Sequence, residues 1–313
     1  MNFTQITSDL IMIRPKHFNY NVETAKDNYF QKKEINISTT TIQKKVRDEF
    51  NSLVEIIKKE KIKINIFEDK KNIKTTDSVF PNNWISFHED GKIIIYPMFS
   101  ENRRKEKRKD IIDTLKNKGY KINEIIDLSK YENENKFLEG TGSMILDRQN
   151  RICYAAISSR TSKDVLNYFC KKNNYKPISF KAYQTYKKNR KLIYHTNVMM
   201  CIGEQYAIVC LASIDNENEK KSLKKSLIKT NKIIIEITEE QCQNFVGNML
   251  QVKNIKNEKF LIMSSRAFKS LTNNQRKILE TYNKLLHSEL QLIEKLGGGG
   301  ARCMIAENFL QKK

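Results

Sequence analysis

The sequence is short of the features that cross-link a chain, bind zinc or span a membrane. None of its six cysteines forms a CxxC pair or lies at zinc-finger spacing from a histidine, and a chain of this size without a secretion signal is not expected to have a disulfide framework. No uninterrupted apolar run reaches transmembrane length, and the N-terminus lacks the basic, apolar and small-residue regions of a signal peptide. We therefore expect a soluble, cytoplasmic protein with no membrane partner.

Arginine is also scarce, which bears on the strong positive charge. The formal net charge is +21, but only twelve residues are arginines, and the lysines are spread along the whole chain without an RNA-binding or helix-turn-helix signature. The densest basic run, residues 103–109, contains an acid and opens a helix-like segment. We predict a solvated surface and no nucleic-acid partner. A basic nucleic-acid-binding protein is the non-enzyme alternative.

Glycine is limited to ten residues, yet four of them are consecutive. The run Gly297–Gly300 is followed, three residues later, by Cys303. Adjacent glycines give the backbone unusual freedom, so a substrate could approach this thiol closely. A hinge before a terminal helix is the alternative interpretation.

The order of the predicted elements repeats, although no repeat is visible by sequence identity. Four units have the order strand, strand, helix, strand at a spacing of roughly 50–60 residues, which indicates an array that closes or stacks. The predicted units are Trp84–Phe87, Lys92–Tyr96, Arg103–Asn117 and Lys121–Asp127; Ser143–Asp147, Arg151–Ala156, Ser162–Lys172 and Lys176–Phe180; Asn197–Cys201, Gln205–Cys210, Glu217–Thr230 and Lys232–Ile235; and Asn248–Lys253, Lys259–Ser264, Asn273–His287 and Glu289–Leu292.

The two ends of the chain together supply a fifth unit. Its predicted parts are the strand Ile11–Arg14, the amphipathic helix Thr40–Lys61, the strand Ile62–Phe67 and the segment around Cys303. Five mixed α/β units in one chain favour closure into a ring, because a ring leaves no unpaired sheet edges. An ordinary α+β sheet protein is the alternative.

Several residues with reactive or charged side chains occupy one kind of position in these units. The residues that precede the first strand of a unit, or lie at its mouth, include Asp77, Glu139, His195 and Cys303. Equivalent positions of a closed ring meet near its axis, so a carboxylate, an imidazole and a thiol would share a central pocket. Such a set provides a nucleophile, a base and a group that orients the base.

These motifs resemble those of the guanidino-group-modifying superfamily, which includes arginine deiminase, dimethylarginine dimethylaminohydrolase, succinylarginine dihydrolase and the amidinotransferases. Within it, the chain is most similar to the bacterial citrulline-utilisation hydrolase branch, often labelled amidinotransferase-like. The stretches that carry the resemblance span nearly the whole chain and are Met12–Pro15, Asp77–Trp84, Leu138–Ser143, His195–Val198 and Gly297–Met304.

The resemblance implies a five-bladed α/β propeller, formed as a single catalytic domain over residues 1–313, with its active site on the axis. It implies that Cys303 is the nucleophile, that His195 is the general acid and base, and that Glu139 orients His195. It further implies that no metal or organic cofactor is needed and that the partner is a small ureido or guanidino amino acid. The resemblance leaves open whether the protein forms a homodimer.

The resemblance also assigns residues to substrate binding. Asp77 matches an acid that binds the planar nitrogen group of the substrate, and Asn83 stands where several guanidine-cleaving relatives have a second aspartate. Arg104, or its neighbour Arg103, and Arg160 resemble the arginines that hold the substrate carboxylate.

The asparagine at position 83 favours a neutral ureido group over a guanidinium. A guanidinium is a cation and favours paired acids, whereas an amide can donate to a ureido oxygen and accept from a ureido nitrogen. We therefore expect hydrolysis of citrulline to ornithine, ammonia and carbon dioxide through a covalent thiol adduct. An arginine deiminase, a dimethylarginine hydrolase and an amidinotransferase are the alternative enzymes.

Overall fold

Short strands and helices alternate along the whole computed structural model, which describes residues 3–34 and 36–312; residues 1, 2, 35 and 313 of the predicted domain lie outside it. In chain order the elements are β1 (Asp9–Arg14), α1 (Thr39–Lys59), β2 (Lys63–Glu68), β3 (Ile85–Phe87), β4 (Lys92–Ile95), α2 (Glu101–Arg104), α3 (Lys109–Asn117), β5 (Glu124–Asp127), α4 (Gly140–Ser143), β6 (Ile145–Asp147), β7 (Ile152–Ala156), α5 (Lys163–Lys172), β8 (Lys176–Phe180), β9 (Tyr183–Tyr186), β10 (Asn189–Leu192), β11 (Met200–Ile202), β12 (Tyr206–Val209), α6 (Glu217–Lys229), β13 (Ile233–Glu236), α7 (Glu239–Gln243), β14 (Leu250–Lys253), β15 (Lys259–Ser264), α8 (Ser265–Ser270), α9 (Asn273–Glu280), β16 (Lys284–Ser288) and β17 (Ala306–Glu307).

The strands of this part of the chain form five three-stranded sheets with one common internal order. In each sheet the first strand pairs antiparallel with the second, and the second pairs in parallel with the third after a helical crossover. The sheets are β17-β1-β2, β3-β4-β5, β6-β7-β8, β11-β12-β13 and β14-β15-β16. A parallel pair needs such a long crossover, so the predicted mixed α/β class is confirmed.

The crossover helix α1 shows how the sequence builds these units. Ser38 caps its first turn by accepting a hydrogen bond from the main-chain N–H of Thr41. Apolar residues then recur every three or four positions and form its buried face, which consists of Ile42, Val46, Phe50, Leu53, Val54 and Ile57. This spacing places one apolar stripe against the sheet and leaves the charged residues in solvent.

Each sheet contacts the next one along the chain, and the last contacts the first. Strand β17 contacts β3, β6 contacts β11, and β11 contacts β14. The β4 and β7 sheets share one buried apolar cluster, and the β1 and β15 sheets share another. The five sheets therefore succeed one another in a cyclic order of contacts.

Two predicted boundaries are wrong. The predicted helix Arg103–Asn117 is divided into α2 and α3, because residues 105–108 leave the helical conformation. The predicted helix Asn273–His287 ends at Glu280, and the third strand of that sheet is β16 rather than the predicted Glu289–Leu292. Tertiary pairing of β16 with β15 overrides the predicted helical conformation of this segment.

The structure also contains a small element that was not predicted. Strands β9 and β10 form a two-stranded hairpin outside the five sheets, with Lys187 and Lys188 in its turn. Within residues 3–34 and 36–312, none of the helices combines the length and apolarity that crossing a bilayer requires.

Candidate active site

The loops that enter the first strands of the sheets surround one small cavity. The residues that form its wall are Thr24, Asn28, Asp77, Phe80, Asn83, Arg103, Arg160, Tyr194, His195, Gly297, Gly298, Gly299 and Cys303. Five of the seven residues predicted for the site are among them. A sixth, Glu139, is hydrogen-bonded to His195.

His195 and Glu139 form a buried pair at the entrances of two sheets. Glu139 immediately precedes α4 and β6, and His195 precedes a turn of 3₁₀-helix, Thr196–Val198, that leads into β11. The Nε2–H of His195 donates to Oε2 of Glu139 over 2.8 Å. This hydrogen bond leaves Nδ1 as the imidazole nitrogen that can accept or donate the proton in a reaction.

The surroundings keep the acid ionised and the imidazole neutral. Burial alone would raise the pKa of Glu139, but Arg160 and His195 outweigh burial and hold that pKa below its usual value. Burial lowers the pKa of His195, although Glu139 opposes this shift. At neutral pH, a carboxylate therefore orients a neutral imidazole.

Cys303 lies in the turn that follows the glycine run, with its thiol in the cavity wall. The side-chain amides of Asn197 and Asn248 both donate to its Sγ, over 3.3 and 3.2 Å. Burial raises the pKa of the thiol, against the opposing effects of Asn248, Arg302 and Asn197. The resting thiol is therefore protonated, and donors that favour its thiolate are already in place.

The run Gly297–Gly300 forms a packed wall beside this thiol. Gly298 has a φ of 64°, in the left-handed region, and a Cβ there would lie 2.4 Å from Nδ2 of Asn28. The carbonyl of Gly297 accepts from that amide over 3.3 Å, and the carbonyl of Gly298 accepts from the hydroxyl of Tyr194 over 2.7 Å. Glycine is required at 298 because the segment around Asn28 covers the cavity in direct contact with this backbone.

Arg103 is the centre of a buried network on one side of the cavity. It donates to Oδ1 of Asn83 over 2.7 Å and binds both carboxylate oxygens of Glu106. Its Nε lies 3.8 Å from Oδ2 of Asp77. Burial would lower the pKa of Arg103, but Glu106 and Asp77 outweigh burial and raise it, so the guanidinium stays charged.

Arg104, the first choice of arginine from the sequence, is not among the residues of the cavity wall. It is the next residue of α2, so its side chain leaves the helix in another direction. Its Nε donates to the carbonyl of Met98 over 3.1 Å and lies 3.7 Å from Oε2 of Glu132. Arg103, the alternative considered from the sequence, is the arginine in the wall.

Asp77 is a buried acid of the cavity wall with one unused acceptor. Its Oδ2 accepts from Nδ2 of Asn21 over 2.7 Å, whereas its Oδ1 has no partner among the residues that the structure describes. Burial raises the pKa of this carboxyl, and Arg103 opposes the shift. Buried polar atoms normally have partners, so an N–H group of a bound molecule would satisfy Oδ1.

Arg160 connects the site to the segment that covers it. Its guanidinium pairs with Asp27, donates to the carbonyl of Thr24 over 2.9 Å and lies 3.5 Å from Oε2 of Glu139. It also lies 4.7 Å from the centre of the Tyr194 ring, a cation–π contact. Acids of the protein already engage this predicted carboxylate-binding arginine.

Sequence reasoning did not identify Asp27, Glu106 or Asn248. Asp27 lies in no predicted unit, and Glu106 is the single acid of a basic run, so neither gave a usable signal. Asn248, in contrast, precedes β14, the first strand of the fourth unit. The repeat that drew attention to Glu139 and His195 could have identified it.

The arrangement can carry out nucleophilic chemistry on a planar carbon. It places a thiol, a neutral imidazole oriented by a carboxylate, and an acid with a free acceptor around one cavity. A nucleophile next to an oriented base is the usual requirement for a covalent intermediate.

The family model described as N,N dimethylarginine dimethylhydrolase, eukaryotic, matches residues 14–310. The chain therefore belongs to this family, within the guanidino-group-modifying, amidinotransferase-like superfamily. No curated protein matches the chain.

Solved structures share the fold at low sequence identity. ArgZ, an arginine dihydrolase from the ornithine-ammonia cycle in cyanobacteria, superposes with a TM-score of 0.70 at 18% identity, covering 95% of this chain and 40% of its own. AgrE with ornithine and NAD+ gives 0.72 at 17% identity, covering 97% and 40%. DDAH from Pseudomonas aeruginosa, in complex with citrulline, gives 0.63 at 16% identity, covering 97% and 100%. The chain thus spans less than half the length of ArgZ and AgrE.

Proposed function

We propose that this protein is a cysteine hydrolase that cleaves the ureido group of citrulline to ornithine, ammonia and carbon dioxide. Membership of a family named for hydrolysis of a substituted arginine supports the reaction class. The bound citrulline and ornithine in the structural relatives support a ligand of this size and type.

The observation that carries the choice of citrulline is the hydrogen bonding of Asn83. Its Oδ1 is occupied by Arg103, so Nδ2, which donates to Oδ1 of Asn82 over 3.1 Å, is the end of the amide that can still donate. A ureido group has a carbonyl oxygen that accepts such a hydrogen bond, whereas a guanidinium has only donors. The free Oδ1 of Asp77 would accept from a ureido N–H.

The first half of the reaction forms a bond between sulfur and the ureido carbon. The Cys303 proton passes to Nδ1 of His195, and the thiolate attacks the carbon. One ureido nitrogen then takes that proton from His195 and leaves as its C–N bond breaks. General acid–base help of this kind contributes about 10²–10⁴-fold.

The second half releases the product from sulfur. His195, oriented by Glu139, takes a proton from water, and the hydroxide attacks the carbon of the adduct. The C–S bond breaks and sulfur recovers its proton from His195. The carbamate product then loses carbon dioxide, which completes hydrolysis to ornithine and ammonia with one water for each citrulline.

The second candidate is hydrolysis of arginine or dimethylarginine by the same thiol. The buried Asp77 carboxylate favours this alternative, because a cationic guanidinium would compensate its charge. The products would be citrulline with ammonia, or citrulline with dimethylamine. Amidino transfer is a further alternative, and it would require an acceptor amine.

Parallel assays on the purified protein test the proposal. Citrulline, arginine and dimethylarginine are supplied separately, and ammonia, dimethylamine, ornithine and carbon dioxide are measured. We expect carbon dioxide and ornithine in equal amounts from citrulline, with Cys303→Ser inactive. The matched control, Cys170→Ser in α5, keeps activity because that thiol is buried outside the cavity. Citrulline as a product of arginine, rather than a substrate, would contradict the proposal.

We also propose that the five sheets close into a five-bladed propeller that forms one catalytic domain. The cyclic order of contacts between the sheets and the position of the cavity at their entrances support this closure. All six cysteines are free thiols, which supports the proposed cytoplasmic location.

A further inference from the structure

Asn248 belongs to the unit whose entrance contributes no predicted site residue. It immediately follows Gly247, where a Cβ would lie 2.2 Å from the carbonyl oxygen of Val198. The absence of a side chain at 247 therefore lets the entrance of the fourth unit lie directly against that of the third. This approach brings the buried Asn248 side chain to Cys303.

Two contacts fix which end of the Asn248 amide faces the sulfur. Its Nδ2 donates to the main-chain carbonyl of Asn197 over 3.1 Å and to Sγ of Cys303 over 3.2 Å. A main-chain carbonyl can only accept, so the group beside it must be the NH₂ of the amide. The same NH₂ therefore faces Sγ.

The amides of Asn248 and Asn197 are oriented so that their NH₂ groups face Sγ while their oxygens have no partner. This costly arrangement indicates that the two NH₂ groups have a role at the sulfur. The Oδ1 atoms of both Asn248 and Asn197 are buried without a partner in the described part of the chain. An unpartnered buried polar atom destabilises a fold. Two neighbouring amides nonetheless direct their donors at the same thiol.

We infer that Asn248 is a further catalytic residue of the reaction proposed above, whose side-chain amide donates to Sγ of Cys303 and stabilises the thiolate. The proton leaves Sγ for Nδ1 of His195, and the electron pair stays on sulfur for the attack. The reaction in this inference rests on the proposed function, but the hydrogen bond itself is present without substrate.

The physical basis is the difference between the two states of the sulfur. A donor that faces Sγ favours the charged form, and hydrogen bonds to an ionised acceptor are stronger than those between neutral groups. Among the groups that oppose the burial-raised pKa of this thiol, Asn248 has the largest effect. Removal of its amide therefore leaves fewer thiolates at any given pH.

The test measures the Cys303 thiolate directly in the full-length protein without substrate. Wild-type protein and Asn248→Ala react with iodoacetamide across neutral and alkaline pH, and peptide mass spectrometry follows alkylation at Cys303. We expect the variant to react about tenfold more slowly at neutral pH, since one pKa unit is a factor of about ten in thiolate. A side chain that merely filled space would give faster alkylation, because its removal opens the cavity.

Two further variants secure this test. Asn173→Ala is the matched control, because its buried amide donates to the carbonyl of Phe169 over 2.9 Å, away from the cavity; it should leave Cys303 alkylation unchanged. Asn248→Asp keeps the side-chain shape but places a carboxylate beside the sulfur, so it should also slow alkylation. Unchanged or faster alkylation in both Asn248 variants would overturn the inference.

Turnover assays separate this inference from the proposed substrate. Slower alkylation together with a lower kcat/KM for citrulline supports both. Slower alkylation in a protein that does not hydrolyse citrulline would contradict citrulline as the substrate but would still support the role of Asn248. Normal citrulline turnover with unchanged alkylation in both variants would remove Asn248 from the mechanism and leave the proposed function intact.

Discussion

At the scale of single residues, the proposed choice of citrulline depends on Asn83. In Asn83→Asp, a carboxylate would replace the NH₂ that we assign to the ureido oxygen, and it would also pair with Arg103. We expect kcat/KM for citrulline to fall at least about tenfold, the cost of losing one hydrogen bond to a buried group. The ratio of arginine to citrulline turnover should rise, because a second acid favours a guanidinium.

A buried amide away from the cavity provides the control for this change. Asn173→Asp adds the same charge at a buried side chain that does not line the cavity. We expect the arginine-to-citrulline ratio to stay near that of the unmodified protein. If the arginine-to-citrulline ratio changed equally in both variants, the added charge alone would explain the effect, and the hydrogen bond of Asn83 would not.

In the proposed reaction, Glu139 acts through His195. In Glu139→Gln the carboxylate that stabilises the imidazolium is lost, so kcat/KM for citrulline should fall about 10²-fold or more. Glu139 raises the pKa of His195, so its removal lowers that pKa. The acid limb of the pH–rate profile, below which His195 is protonated and no longer a base, should therefore move to lower pH.

Glu132→Gln is the matched control for this variant. Glu132 pairs with Arg104 and Lys107 outside the cavity, so both the rate and the acid limb should stay unchanged. A Glu139→Gln protein whose profile keeps its position, with full activity, would show that the His195–Glu139 hydrogen bond has no part in the chemistry.

Sequence reasoning identified the candidate site residues that occupy the same position in successive units, and it missed those that lie elsewhere. Glu139, His195 and Cys303 could be identified because each precedes the first strand of a unit and matches a motif of the superfamily. The choice between Arg103 and Arg104 could not be made, since it depends on which way a four-residue helix turns its side chains. Asp27 reaches the site only because its segment folds over the cavity onto Arg160.

At the scale of elements, Glu294 introduces an ionisable group into the helical turn that precedes the glycine run. Burial raises the pKa of this carboxyl to about 7, and its Oε1 has no partner among the described residues. The pKa of Glu294 in the folded protein therefore lies above its usual value of 4.5. Below about pH 4.5 the carboxyl is protonated in both the folded and the unfolded protein, so its ionisation costs the folded state no stability. As the pH rises toward and through 7, the free energy of unfolding falls, because the unfolded protein releases this proton more readily than the folded one.

Glu294→Gln should therefore change how stability depends on pH. Glutamine resembles the protonated acid and does not titrate, so the two proteins should have similar free energies of unfolding in acid. Above pH 7 the variant should be more stable, by at most about 3 kcal/mol at 1.36 kcal/mol per pKa unit. Denaturant titrations of both proteins at acid and alkaline pH measure this difference. A difference that is constant with pH would contradict the assignment.

Element order was easier to predict than element ends. Short apolar runs separated by turn residues placed the strands of the first three predicted units within a few residues of β3–β5, β6–β8 and β11–β13. The prediction of the fourth unit failed at its end, because Lys284–Ser288 forms β16 by pairing with β15. Local pattern cannot decide such a segment, since the partner strand lies about twenty residues away along the chain.

At the scale of the whole molecule, the two basic residue types are used differently. Five of the twelve arginines are buried, and Arg103, Arg108, Arg148, Arg160 and Arg302 all form ion pairs with acids. Most lysines lie on the surface, with no concentration at the cavity. The high net charge is therefore spread over the outside, as expected for a solvated surface.

The proposed closure of the five sheets depends on the last strand, because β17 pairs with β1 and contacts β3. A chain that ends at Met304 keeps Cys303 but loses β17 and buried side chains that include Ile305, Phe309 and Leu310. At about 1.5 kcal/mol or more for each of these three side chains, the free energy of unfolding should fall by at least about 4 kcal/mol. Urea titration followed by tryptophan fluorescence measures it through Trp84, which packs in the same apolar cluster as Leu310.

A chain that ends at Leu310 is the control for this truncation. It loses the exposed Gln311 and Lys312, the hydrogen bond from the N–H of Lys121 to the carbonyl of Gln311, and the contacts of Lys312 with Tyr120. Its stability should fall by only about 1–2 kcal/mol. If both truncated chains unfolded at the urea concentration of the full-length protein, β17 would not hold the first and second sheets together. The cyclic order of the sheets would then have to be maintained by the remaining contacts alone, and the proposed closed propeller would lose its main support.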